Sequence, residues 1–189
     1  MNSLSGYVTQ NDLLLNNLIE FYKDENNLNN MLKIITGESP ISLRIVDWFA
    51  TNYAKKNYTL YVINDAFGNS RRFKVYFDYK LKLKAYSKRR FDPFCRWERI
   101  NIPYQGDKFI ETTIGQLNFF KWAIENKVIS YIEENYDVIE KDMNSRNSTS
   151  KRKDLKIDNT KTRKKREELS ISATKSIKKE EVEIVVQFH

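Results

Sequence analysis

From Tyr58 to Tyr86 a β-branched and aromatic run, a turn and a long apolar–polar alternation follow one another, and no other feature restricts the fold as much. Tyr58–Asn64 reads YTLYVIN, rich in β-branched and aromatic residues. Asp65–Asn69 is turn material, with Gly68 able to take a positive φ. Arg71–Asp78 alternates again, with Phe73, Val75 and Phe77 on one side and Arg72, Lys74 and Tyr76 on the other. Two such runs around a short loop predict a β-hairpin. Tyr79–Tyr86 continues the pattern, Leu81, Leu83 and Ala85 standing opposite Lys80, Lys82 and Lys84. The pattern predicts strand through 86, its lysines lining one face or guarding an edge against aggregation.

The segment Arg71–Arg99 carries eleven Lys/Arg against three acids, an excess equal to the net charge of +8 on the whole chain. Eight rings are threaded through it: Phe73, Tyr76, Phe77, Tyr79, Tyr86, Phe91, Phe94 and Trp97. Cations interleaved with rings suit a polyanion whose bases can also stack. The candidate phosphate contacts are Arg71, Arg72, Lys74, Lys82, Lys84, Lys88, Arg89, Arg90, Arg96 and Arg99, joined by Lys164, Lys165 and Arg166 further on. Tyr76, Tyr79 and Tyr86 are the candidate stacking rings. The plainer alternative is that the rings are core and the cations a solvated face. For Phe91, Phe94 and Trp97, three residues apart, core packing is the better account.

Helical signals flank this region. Thr9 and Asp12 form a cap pair ahead of Leu14, Leu15, Leu18, Ile19 and Tyr22. A short second helix is expected from about Leu28 to Ile35, before Gly37 and Pro40. Ser42 caps a helix over 43–56, whose apolar face is Leu43, Val46, Ala50 and Tyr53. Asp47 is expected on its exposed side, partnering an arginine. Asp92-Pro93 sets a compact turn, strands are expected at 98–104 and 108–112, and Thr113-Ile114-Gly115-Gln116 fits a capping box opening a long helix to about 134. From Asn144 to Glu168 there is no aromatic residue and ten Lys/Arg stand against four acids, so a disordered basic linker is expected. Lys151–Lys153 and Lys161–Arg166 resemble nuclear-import or nucleic-acid patches. Val182–Phe188 (VEIVVQF) reads as a strand that docks on a sheet edge.

The expected organisation is a flexible 1–8, a globular 9–143, a linker 144–180 and a docking strand 181–189. The fold class is α+β: an antiparallel sheet packed against two or three helices, with a disordered basic C-terminal tail ending in a short strand. Gly is scarce (5) and Pro scarcer (3), which rules out collagen-like and linker-type chains.

Catalytic chemistry finds little footing. The single histidine is His189 and the single cysteine Cys95, so no intramolecular disulfide, Cys-based zinc site or central His-based catalytic system is expected. Cys95 is expected to be a buried structural thiol. The glycines never cluster into a phosphate loop. Asp65 with Asp78-Tyr79-Lys80 is a weak match to a metal-dependent nuclease. No enzyme activity, cofactor or metal is expected. The start lacks a charged, apolar leader, and no run is long enough to span a membrane, so neither secretion nor a membrane partner is expected.

Four segments, SLRIVDWFATNYAKKN (42–57), LKAYSKRRFDPFCRWERI (83–100), TTIGQLNFFKWAIENKVISYIE (112–133) and KKREELSISATKSIKK (164–179), resemble an uncharacterised family of the nucleocytoplasmic large DNA viruses of the mimivirus and phycodnavirus kind. The resemblance implies a setting in an infected cell, viral factory, nucleus or virion, and no mechanism. Three readings follow in order. The first is a non-enzymatic nucleic-acid-binding protein serving transcription or genome packaging. The second is a virion structural or adaptor protein, holding an acidic or viral partner through the basic face and the C-terminal strand. The third is a nuclease.

Overall fold

The computed structural model describes residues 9–64, 68–104, 108–154 and 179–180. Helix α1 (Gln10–Tyr22) opens with the expected box: Thr9 Oγ1 accepts from the Asp12 amide, and the Asp12 carboxylate accepts from the Thr9 amide at 2.9 Å. Helix α2 (Glu25–Ile35) is capped by Asp24 and buries Leu28, Met31, Leu32, Ile34 and Ile35. Helix α3 (Leu43–Trp48), capped by Ser42, passes through a π-helical stretch (Phe49–Tyr53) into α4 (Ala54–Lys56).

Strands β1 (Leu60–Asn64) and β2 (Ser70–Lys74) form the expected antiparallel hairpin, with Leu60 opposite Lys74 and Val62 opposite Arg72. The expected strand over 71–86 stops there. Val75–Phe91 is helix α5, broken only at Ser87, where φ is 65°. The reason lies in the partner: β1 offers five residues, so nothing remains for a longer β2 to pair with. Released from the ladder, a Lys-, Leu- and Ala-containing run turns helical. Val75 and Tyr79, one turn apart, then share the buried side.

β3 (Arg99–Tyr104) and β4 (Lys108–Thr113) pair in antiparallel fashion, and a two-residue β5 (Lys179–Glu180) adds to the outer edge of β4. The class is α+β as expected, but the single expected sheet is two separate ones, β1–β2 and β3–β4–β5. The expected 114–134 helix is also divided, into α6 (Ile114–Glu125) and α7 (Val128–Glu134), at Lys127 with φ 55°. Asn126 earns this break: its side chain donates to the Trp122 carbonyl and accepts from Arg71, while its own carbonyl accepts from Tyr61. The first hairpin is thereby pinned to the end of α6.

Helix α8 (Tyr136–Asp154) runs past the expected boundary at 143. Asp142 clamps it to the α3–α4 segment, accepting from Lys56 Nζ at 2.8 Å and Trp48 Nε1 at 3.1 Å. The docking strand 181–189 and the tail cluster 161–166 lie outside the described residues. Asp47 departs from expectation. It is largely withdrawn from solvent and has no ion-pair partner among the described residues.

The centre of the core is α6, which is buried almost throughout. Tyr22 ties α1 to it by donating to the Leu117 carbonyl at 2.7 Å. Gly115 sits against the turn that ends α5, where a Cβ would lie 2.9 Å from the Asp92 carbonyl oxygen and 3.0 Å from that of Arg89. Gly115→Ala should therefore lower stability by about 1–3 kcal/mol, overpacking outweighing the gain of ~1 kcal/mol in helix propensity. Urea unfolding of the variant checks this, and unchanged or raised stability would contradict the close approach.

Candidate functional site

The hairpin is two-sided. Tyr61, Ile63 and Phe73 face the core, with Tyr61 stacked on Tyr131 at 5.0 Å and Phe73 6.3 Å from Trp122. The opposite side presents Leu60, Val62, Arg72 and Lys74 to solvent. Helix α5 continues this surface. Phe77, Lys80, Leu81 and Lys84 fall three and four residues apart on its outward stripe, and all are exposed. Phe77 joins the two elements, with Lys74 Nζ 6.0 Å from its ring centre.

Exposure of apolar side chains here is large: Tyr58 79%, Leu60 53%, Val62 60%, Phe77 60% and Leu81 66%. Scattered apolar residues at a surface need no explanation, but side chains gathered around one groove, as Tyr58, Leu60 and Phe77 are, call for one. Between α4, the hairpin and α5 this face opens into a groove of about 400 Å³, walled by Ala54, Tyr58, Leu60, Tyr76 and Phe77. Lys55 and Lys74 line it too, Lys55 Nζ lying 5.6 Å from the centre of the Tyr76 ring. Among the described residues, Lys55, Arg72, Lys74, Lys80 and Lys84 have no carboxylate partner. The one acid of α5, Asp78, is turned inward to accept from Trp122 Nε1 at 2.6 Å.

The predicted cations are thus divided. Arg72, Lys74 and Lys84 belong to this face. Arg71 is held inward by Asn126 Oδ1 at 2.7 Å. Lys82 lines a separate cleft on the other flank of α5. Lys88 and Arg96 are exposed and Arg90 is half-buried, all near the end of α5. Arg89 lies over the Trp97 ring at 3.9 Å, and Arg99 is paired with Glu111 at 3.0 Å across β3–β4. Lys164, Lys165 and Arg166 fall outside the described residues.

Of the predicted stacking rings, Tyr79 is buried, and Tyr86 is half-buried against Phe91. Tyr76 alone borders the groove. Cys95 is half-buried rather than enclosed. Asp78 is engaged by Trp122, while Asp65 lies outside the described residues. No group of three or more His, Cys, Asp or Glu side chains able to hold a metal occurs among the described residues. Sequence reasoning missed Lys55, Tyr58, Leu60, Val62, Lys80 and Leu81. Lys80 and Lys84, four apart, were a helical signal hidden inside the alternation.

Comparison with known proteins places the chain in a family. The profile of a family of unknown function, DUF7197, matches residues 7–188. The chain belongs to the DUF7197 family. It is 49% identical over 132 residues to the uncharacterized protein L507 of Acanthamoeba polyphaga mimivirus. That match covers 67% of this chain and 49% of the relative, so the chain spans about half the length of the mimivirus protein it resembles. No solved structure matches. The expected kinship with an uncharacterised family of large DNA viruses is therefore shown for this DUF7197 member. Among its described residues no helix is long and apolar enough to cross a membrane.

Proposed function

We propose that this protein is a non-enzymatic adaptor whose hairpin–α5 face captures an acidic, partly apolar polypeptide. The observation that carries the reading is the group of five large apolar side chains, each more than half exposed, interleaved with cations that have no carboxylate partner among the described residues. Protein interfaces are built this way, with apolar anchors in a pocket and a charged rim that steers and orients the partner. A second copy of the chain would oppose like charges and is disfavoured on this face.

A nucleic-acid ligand is the second reading, favoured by Arg72, Lys74, Lys80 and Lys84, which have no carboxylate partner among the described residues. It leaves Leu60, Val62 and Leu81 without a purpose, because aliphatic side chains offer no ring on which a base can stack. Fluorescence anisotropy with a single-stranded oligonucleotide separates the two. The adaptor reading expects only weak binding that collapses between about 50 and 200 mM salt. It also expects Leu60→Ser/Phe77→Ser to leave that residual binding unchanged. Tight binding that Arg72→Glu/Lys74→Glu abolishes would overturn it in favour of the nucleic-acid reading. Leu60 and Phe77 are exposed, so their double variant should keep wild-type stability within about 0.5 kcal/mol per site.

A further inference from the structure

On the flank of α5 away from the groove, α1, α5 and α6 enclose a cleft of about 470 Å³, within the range of small-molecule sites. Tyr86 of α5 and Leu13 and Leu14 of α1 supply its accessible apolar wall, and the buried Phe91 and Trp122 close the floor beneath them. Two lysines enter it, in different states. Lys121 is already satisfied: it bonds the Asn17 side chain, lies 3.8 Å from Glu125 and sits 5.2 Å from the centre of the Phe21 ring. Lys82 is half-buried and has neither carboxylate nor ring partner among the described residues. Two amides stand in the same wall. Asn118 spends one N–H on the Arg90 carbonyl at 2.8 Å, and Asn17 spends its carbonyl on Lys121, so each retains unused hydrogen-bonding capacity.

The geometry points to a binding site for a small anion that carries a planar ring, of the nucleoside-monophosphate kind, with its anionic group on Lys82, its ring against the apolar wall, and the ring's polar edge on Asn17 and Asn118. A purely apolar ligand would strip water from the Lys82 ammonium without replacing it. A bare phosphate would leave the apolar wall unmatched. A ligand with both parts satisfies the whole lining. This site is independent of the adaptor face.

The test is titration of the full chain with AMP, GMP, CMP and UMP, and with inorganic phosphate as control, followed by Trp fluorescence and calorimetry. At least one nucleotide should bind saturably with Kd below about 1 mM. Lys82→Ala should weaken it at least about tenfold, equivalent to ~1.4 kcal/mol. Leu13→Trp, placed at the exposed lip so that folding is spared, should block it. Leu60→Ser/Phe77→Ser should leave it unchanged, which keeps its failure separate from that of the adaptor reading. Absence of saturable nucleotide binding, phosphate binding as tight as nucleotide, or wild-type affinity in both cleft variants would each overturn the proposal.

Discussion

Trp122→Ala is expected to lower unfolding stability by about 3–5 kcal/mol, the range for truncating a buried large aromatic residue. The indole is 2% exposed and meets Phe73, Tyr79, Phe91 and Phe119 at centroid distances of 6.3, 5.9, 5.8 and 5.7 Å. It therefore joins the hairpin, α5 and α6 in one aromatic cluster. Its Nε1 also satisfies the Asp78 carboxylate, so truncation opens a cavity and deprives a half-buried carboxylate of its donor. Trp122→Phe separates the two contributions. It keeps most of the ring packing and loses the donor, and should cost about 1–3 kcal/mol. Chemical denaturation of both variants measures this, and losses below about 1 kcal/mol in both would contradict the cluster's central place.

The second large effect is a pH dependence seated at Asp47. Burial, reinforced by the charge of Asp92, pushes its carboxyl from the ordinary 3.8 up to about 7. In the unfolded chain the group ionises near its ordinary value. Between roughly pH 4 and pH 7 the folded protein therefore holds a proton that the unfolded chain has released. Stability from this group is fully present below the unfolded pKa and is lost as pH rises through the folded one. A shift of this size corresponds to at most about 4 kcal/mol, at 1.36 kcal/mol per pKa unit. Asp12 and Asp142 are both held below the usual carboxylate range and act in a more acidic window. Asp47→Asn should stabilise the protein at pH 8 by about 2–4 kcal/mol and flatten its stability between pH 5 and pH 8. Urea midpoints at the two pH values check both. An unchanged slope in the variant would show that Asp47 does not carry the dependence.

What was legible in the sequence follows from how local its cause is. The Thr9–Asp12 box depends on residues three apart and forms as read. So does the first half of the Thr113–Gln116 box, where Thr113 accepts from the Gln116 amide. The second half does not follow, because the Gln116 side chain accepts from Thr112 at 3.0 Å instead. Hairpin β1–β2 was legible from alternation and Gly68, which takes a φ of 82°. Helix α5 was not, because alternating Lys and Leu satisfy a strand template while being good helix formers, and the choice depends on the length of the distant partner strand. The break at Asn126 is non-local in the same way, resting on Arg71 and Tyr61 from the hairpin. The site was half legible. Charge clustering pointed to Arg72, Lys74 and Lys84, but alternation cannot say which side of a strand is covered. Leu60 and Val62 therefore stood undistinguished from Tyr61 and Ile63 in the sequence, and only the structure separates the exposed pair from the inward one.

The most direct measurement for the adaptor face is selection of a random 16-residue peptide library on the full chain, with recovered peptides re-measured against Phe77→Ser/Leu81→Ser and Arg72→Glu/Lys74→Glu. The account predicts enriched peptides rich in Asp and Glu around one or two large apolar residues. It further predicts that each double substitution weakens them by about 2 kcal/mol or more, roughly thirtyfold. Peptides without acidic bias, or peptides that bind both variants as tightly as the wild-type chain, would contradict it.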